Sequence, residues 1–255
     1  MKNFNRYILS ILVFVFATSF TSSPPENKAK EFTVNGLKVI LKPSIKEIIS
    51  VRFFIKGGTA NYSKEQEGIE SLALAVAVEG GTKALNKTEF ATATEKIGTS
   101  IGFSTSYDYS EISMSCVSEF WDPSWKLFAD VIMQPRFEAK EFELIKAQAV
   151  AQAKQAESNP DVHLRNRSME VAFSKHNYAK IPAGTKESLE KLSLENVAGH
   201  FKSIIGKQNC FLVVMGNITE SDLKNRVTSA FASLQPGKKT TVEPRLELKP
   251  EATIE

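Results

Sequence analysis

The chain is poor in the residue types that most often bind metal ions or cross-link secreted proteins. Only three histidines and two cysteines occur among its 255 residues. The histidines, His163, His176 and His200, are scattered and show neither of the zinc-binding spacings H-x-x-E-H and H-E-x-x-H. The sequence therefore predicts no standard zinc site in this chain.

The two cysteines, Cys116 and Cys210, each lie in an apolar, strand-like run. Cysteine is among the residues most often buried, so both are interpreted as core residues. A disulfide between them remains an alternative if the protein is exported.

The chain also has little excess of positive over negative charge. The formal net charge is +3, and the acidic and basic residues are interspersed. Such a balance leaves no strong field to attract a nucleic acid, and we expect no nucleic-acid partner. The content of 42% hydrophobic and 24% charged residues is ordinary for a globular protein.

Residues 1–24 have the pattern of an export signal. Lys2 and Arg6 precede an apolar run at 7–20. This run is too short to span a bilayer comfortably, so the pattern predicts a secretory signal, with an uncleaved anchor as the alternative. We expect the rest of the chain, without a membrane-spanning domain, to lie in the periplasm or cell envelope.

After a linker at 25–30, alternating strands and amphipathic helices follow over 31–236. An Asn35-Gly36 turn joins two strands within 31–41. The remaining predicted strands lie at 48–57, 98–117 and 209–218, the last being a fully apolar central strand. The predicted helices cover 68–82, 88–97, 124–133, 139–158, 165–173, 193–201 and 220–234. Residues 237–255 are interpreted as a linker toward a second domain.

The segment 68–82 (GIESLALAVAVEGGT) is interpreted as a short buried helix. It resembles the metal-binding helix of the insulinase/pitrilysin/mitochondrial-processing-peptidase family. That family has a pattern of roughly G-L-x-H-x-x-E-H-M-x-F-x-G-T, which contains the inverted motif H-x-x-E-H. Further agreement at separated places, in the same order, extends the resemblance over about 31–236.

The resemblance implies that the catalytic side chains of the family are missing here. Ser71 and Ala75 stand where the family has its two zinc-binding histidines, and Leu74 stands where it has the catalytic glutamate. Alanine has no ligating atom, a neutral serine hydroxyl is a poor zinc ligand, and leucine cannot accept a proton. The third zinc ligand, a glutamate in the family, falls on Gln152 or its neighbour Ala151.

A second family feature is a strand whose edge receives the substrate peptide. Gly98 and Thr105 match its pattern, whereas Gly102 and Phe103 replace an Asn-Ala pair. This difference from the family pattern puts the usual side-chain contacts to a peptide in doubt. Peptide addition to a strand depends mostly on backbone hydrogen bonds, which the difference does not remove. By the same resemblance, His176 is expected to be a structural loop or cap residue.

The implied fold is α+β, an antiparallel sheet covered by helices on one face. The implied function is that of a non-catalytic partner subunit, without a cofactor of its own, which forms a chamber wall beside an exported, zinc-bearing homologue and binds peptides. One alternative is an envelope peptide-binding or scaffold module without a peptidase partner. Another is an enzyme with relocated chemistry, built from Glu67, Glu70 and Glu79 with His176 or His200. Carboxylates near a helix end are usually solvated, which argues against the last alternative.

Overall fold

The computed structural model describes residues 28–237 and residue 240. The predicted signal or anchor at 1–24 lies outside the described residues, as do residues 25–27 of the predicted linker and residues 238–239 and 241–255. Within the described part of the chain, no helix is both long and apolar enough to cross a membrane.

Six strands form one sheet within these residues. They are β1 (Lys30–Val34), β2 (Leu37–Pro43), β3 (Ile48–Lys56), β4 (Ser100–Thr105), β5 (Tyr109–Val117) and β6 (Cys210–Gly216). Asn35 and Gly36, with φ of 49° and 87°, form the predicted tight turn between β1 and β2.

The α-helices of the described chain are eight in number. They are α1 (Ile69–Glu79), α2 (Lys87–Lys96), α3 (Trp121–Met133), α4 (Ala139–Glu157), α5 (Pro160–Ala172), α6 (Lys186–Lys191), α7 (Leu194–Ile204) and α8 (Glu220–Ala230).

Several helix ends differ from the sequence-based prediction because the capping residues differ. Asn86 caps α2 and forms a capping box with Glu89, so that helix begins at Lys87, one residue before the predicted start at Thr88. Asn159 caps α5, and Pro160 occupies the first helical turn, so that helix begins five residues before the predicted Arg165.

The strand order is β1-β2-β6-β3-β5-β4, which confirms β6 as a central strand. The sheet departs from the predicted antiparallel pattern in one pairing, because β2 and β6 are parallel. The reason is topological. The chain reverses between β2 and β3, and β6 inserts between these two strands, so it must be parallel to one of them. It is antiparallel to β3.

One face of the sheet forms the core. Ile49, Val51, Phe53 and Ile55 of β3 are at most 1% exposed, while the alternate residues of this strand are exposed or half-buried. This period of two is what the alternating sequence predicts for a sheet with helices on one face. Helix α1 packs against this layer and contacts both α7 and β4. Its apolar residues are buried on all sides, as predicted.

Cys116 and Cys210 are buried free thiols, which confirms their interpretation as core residues. Burial raises the pKa of Cys210 to about 12, and it also raises the pKa of Cys116. Both thiols are therefore in the neutral, unreactive form near pH 7.

Candidate functional site

A cleft of about 590 Å³ lies beside the buried helix α1. Its walls are the first turn of α1, the end of β4 with the following turn, helices α4 and α5, and the loop at 181–185. The cleft therefore draws its lining from five segments, and α1, β4 and the run from α4 to residue 185 are well separated in the sequence. Binding sites are often concave surfaces of this kind.

By the resemblance, four positions of this chain correspond to the family's three zinc ligands and its catalytic glutamate. Two of these four positions lie in the cleft. Ser71, from α1, and Gln152, from α4, both line it. Between Gln152 and the alternative Ala151, it is Gln152 that faces the cleft. The other two positions, Leu74 and Ala75, are buried, at 0% and 8% exposure.

Zinc does not fit the side chains at these four positions. Ser71 and Gln152 offer one neutral hydroxyl and one neutral amide, whereas a tetrahedral zinc site needs thiolates, imidazoles or carboxylates. Across residues 28–237 and 240, no three His, Cys, Asp or Glu side chains are grouped so that they could hold a metal ion. The site can therefore offer hydrogen bonds to a ligand, but no charged ligand cage for zinc.

Strand β4 borders the cleft and lies at the edge of the sheet. It pairs with β5 on one side, from Ser100 opposite Ser115 to Thr105 opposite Ser110. Thr105 lines the cleft at the end of the strand. The unpaired side of an edge strand presents backbone donors and acceptors that an extended peptide can use.

A buried polar cluster surrounds Glu70, the residue before the cleft-lining Ser71. The carboxylate accepts hydrogen bonds from the Ser110 hydroxyl at 2.5 Å and from the Asn61 amide at 2.9 Å. His200 Nε2 lies 3.2 Å from the same carboxylate oxygen that Asn61 contacts. The ring of Tyr62 packs edge-on against His200, with the centroids 5.9 Å apart.

The structure thus joins Glu70 and His200, two residues of the relocated-chemistry alternative, but not in a catalytic arrangement. The carboxylate sits between Ser110 and His200, so the imidazole is not placed to take the proton of the serine hydroxyl. Ser110 is 0% exposed and Glu70 is 1% exposed, which leaves no path for a substrate. The cluster is a buried hydrogen-bond network that connects α1, α7 and β5.

The expectation that carboxylates near α1 are solvated is wrong for two of the three. Glu67 and Glu70 are buried, at 3% and 1% exposure, while Glu79 is exposed as expected. Burial raises the pKa of Glu67, and one of its carboxylate oxygens has no hydrogen-bond partner among the described residues. Tyr62 is buried close to both acids, and its pKa is also raised, first by burial and then by their charges.

The other two histidines lie outside both clusters. The ring of His176 accepts a hydrogen bond from the backbone N–H of Tyr178 at 3.2 Å, which confirms the predicted cap role. His163 is exposed on α5.

Sequence reasoning missed the partners of Glu70. Asn61 and Ser110 are common surface residue types, and they lie 9 and 40 residues from Glu70 along the chain. Asn61 also donates to the carbonyl of Lys56, and its side-chain oxygen lies 3.4 Å from the Thr240 hydroxyl. A glutamate within an otherwise apolar helix start is the only sequence signal that points to this network.

Comparison with protein families gives a match to insulinase, peptidase family M16, over residues 38–186. Among curated proteins, the chain is 26% identical over 188 residues to the "Non-peptidase homolog YmxG" of Helicobacter pylori, covering 74% of this chain and 43% of that protein. It is 23% identical over 220 residues to an "Uncharacterized zinc protease" of Rickettsia bellii, covering 82% of this chain and 51% of that protein. The chain thus spans about half the length of these relatives.

Two solved structures share the fold. A peptidase M16 inactive domain from Pseudomonas fluorescens superposes with a TM-score of 0.79 at 20% identity, covering 88% of this chain and 55% of that one. The periplasmic protease PqqL of Escherichia coli gives a TM-score of 0.74 at 14% identity, covering 88% of this chain and 25% of that one. The family match covers more than half of the chain, and the resemblance inferred from the sequence is confirmed. This chain belongs to the insulinase family, peptidase family M16.

Proposed function

We propose that this chain binds extended peptides in the cleft beside α1 and acts as the non-catalytic wall of a peptide chamber. One observation carries the proposal. Ser71 and Gln152, which correspond by resemblance to two zinc-ligand positions, line a cleft of about 590 Å³. A cleft is thus present at these two positions although their side chains do not suit zinc.

Peptide binding would use the free edge of β4. An added strand forms main-chain hydrogen bonds with little regard to sequence, and neighbouring pockets then read alternate side chains. The cleft lies at the end of β4, where Thr105 and Tyr107 contribute to its wall. Ser71 and Gln152 supply neutral hydrogen-bonding groups to a peptide without attacking it.

A separately encoded, zinc-bearing homologue would supply the hydrolytic activity in this proposal. Zinc affinity depends on ligand number and geometry, and this chain has none of the family ligands at the corresponding positions. We further propose that both proteins are exported. The pattern at 1–24 supports export, as does the fold shared with PqqL, which is described as periplasmic.

The partnership is tested by purifying the tagged protein from the envelope of its source cell. We expect a homologue with an intact H-x-x-E-H motif to copurify, with zinc in proportion to that homologue. The isolated chain should contain no stoichiometric zinc and should hydrolyse no peptide. Recovery without any zinc-bearing homologue would favour a scaffold or peptide-binding module alone. Chelator-sensitive hydrolysis by the isolated chain would overturn the proposal.

The mode of peptide binding is tested with N-methylated peptides. Methylation of alternate backbone amides, on the side that would pair with β4, should abolish binding because it removes the donors. Methylation of the intervening amides, which point away from the strand, is the matched control and should be tolerated. Equal effects of the two methylation patterns would contradict strand addition.

A further inference from the structure

Arg165 gives the cleft a positive charge that no carboxylate of the described residues neutralises. The side chain lies on α5, lines the cleft and is exposed. In residues 28–237 and 240, no carboxylate lies within ion-pair distance of its guanidinium. A guanidinium carries five donors in a planar fork that fits a carboxylate, so an unpaired arginine in a cleft is suited to an acidic group of a ligand.

The surroundings of Arg165 strengthen this assignment. Its cleft neighbours include the neutral amides of Gln152 and Asn166, which can donate further hydrogen bonds to a carboxylate. The other charged residue of the lining is Glu157, at the end of α4. Glu157 and Arg165 do not form an ion pair with each other, so the cleft has separate positions of opposite charge.

We infer that the cleft selects peptides with an acidic side chain, which pairs with Arg165, and that Glu157 opposes a second acidic group. This inference rests on the proposed function and adds the class of peptide. The acidic side chain would project from the segment added to β4, toward the wall formed by α5.

Arg167 provides a matched control on the same helix. It lies two residues after Arg165 and pairs with Glu170 at 3.0 Å. It is not part of the cleft lining. Replacing Arg167 therefore removes one positive charge from α5 and lowers the net charge of the protein by one, as replacing Arg165 does. Unlike the Arg165 replacement, it leaves the cleft lining unchanged.

The experiment measures the binding of two fluorescent decapeptides that differ only by Asp or Asn at one central position. The purified protein should bind the Asp peptide more tightly, by up to about fivefold, which is the upper end of the range expected for an accessible ion pair. In Arg165→Gln this preference should disappear. In Glu157→Gln it should increase, and in Arg167→Gln it should stay at the wild-type value. The preference should also weaken as salt is added.

The outcomes separate this inference from the proposed function. If both peptides bind equally to the wild-type protein, the cleft binds peptides but does not select acidic ones. This inference is then overturned, while the proposed function stands. A preference that survives in Arg165→Gln, or that is lost equally in Arg167→Gln, also overturns it. If neither these peptides nor basic ones bind, both the inference and the proposed function fail.

Discussion

The Glu70 carboxylate and the His200 imidazole face each other at 3.2 Å, and their side chains are only 1% and 8% exposed. These residues are 130 positions apart in the sequence. Their contact holds the first turn of α1 against α7. Because α1 also lines the cleft through Ser71, the buried network supports the wall of the candidate site.

Removal of the Glu70 side chain should destabilise the domain strongly. Glu70→Ala leaves the Asn61 amide, the Ser110 hydroxyl and the His200 imidazole without their common partner in a buried place. We expect the free energy of unfolding to fall by about 3 kcal/mol, as when one member of a buried polar pair is removed. Urea denaturation followed by circular dichroism measures it.

Glu79→Ala is the matched control, since Glu79 lies on the same helix but is exposed. Glu79→Ala should change the free energy of unfolding by less than about 0.5 kcal/mol. If Glu70→Ala lowered the free energy of unfolding as little as Glu79→Ala does, the network around Glu70 would add nothing to stability.

Two glycines should respond to alanine in opposite directions. Gly184 has φ of 83°, and an added Cβ would lie 2.8 Å from the carbonyl oxygen of Glu67 and 2.9 Å from the Cα of Gly68. Gly184→Ala should therefore lower the free energy of unfolding by about 2 kcal/mol and disturb the cleft, which Gly184 lines.

Gly199 lies within α7, and a Cβ there would meet nothing within 4 Å. Gly199→Ala should raise the free energy of unfolding by about 0.5 to 1 kcal/mol, because alanine has the higher helix propensity. Thermal unfolding of both variants tests the pair. Stabilisation by Gly184→Ala would contradict the close approach of the 181–185 loop to α1.

The buried Glu67 should make stability depend on pH. Its pKa is raised in the folded protein by burial, so the folded state retains the proton to higher pH than the unfolded state does. The stability contributed by the protonated carboxyl is present below the unfolded pKa and is lost as pH rises through the folded pKa.

Glu67→Gln should therefore be more stable than the wild type at pH 7, and the difference should shrink as pH falls below the raised pKa. Denaturation at a series of pH values measures this difference, with Glu79→Gln as an exposed control. A difference that stays constant over the acidic range would show that ionisation of Glu67 does not affect stability.

Restoring ligands should create a zinc site if the family correspondence of the cleft positions is right. In the combined variant Ser71→His, Leu74→Glu, Ala75→His and Gln152→Glu, two imidazoles and a carboxylate would be available as ligands. We expect about one zinc ion per chain by elemental analysis, while the wild type retains none.

Gln148→Glu in place of Gln152→Glu is the control, because Gln148 is exposed on α4 and is not part of the cleft lining. That variant should bind zinc much more weakly. Equal affinity would mean that Gln152 is not the third-ligand position. Since Leu74 is fully buried, the variant with glutamate there should also be less stable than the wild type.

Much of the fold could be predicted from local patterns. The period-two burial of β3, the Asn35-Gly36 turn and the apolar α1 depend on neighbouring residues, and the structure confirms them. The parallel pairing of β2 with β6 could not be predicted in this way. It depends on which strand inserts between β2 and β3, and no local pattern encodes that choice.

The candidate site, too, has features that the sequence determined and features that only the tertiary structure decided. The sequence alone determined that Ser71, Leu74, Ala75 and Gln152 carry neutral side chains. Their correspondence to the family's zinc ligands and catalytic glutamate stays a prediction. No fold can give the side chains of Leu74 or Ala75 a lone pair for a metal ion or a proton.

Only the tertiary structure decided which residues meet. It brought Ser71 and Gln152 to one cleft with Arg165, which has no ion-pair partner among the described residues, and it buried Glu70 against His200. These relationships join segments that are far apart in the chain, so they arise from the packing of helices on the sheet. Side-chain chemistry is fixed residue by residue, whereas proximity and burial exist only after the chain has folded.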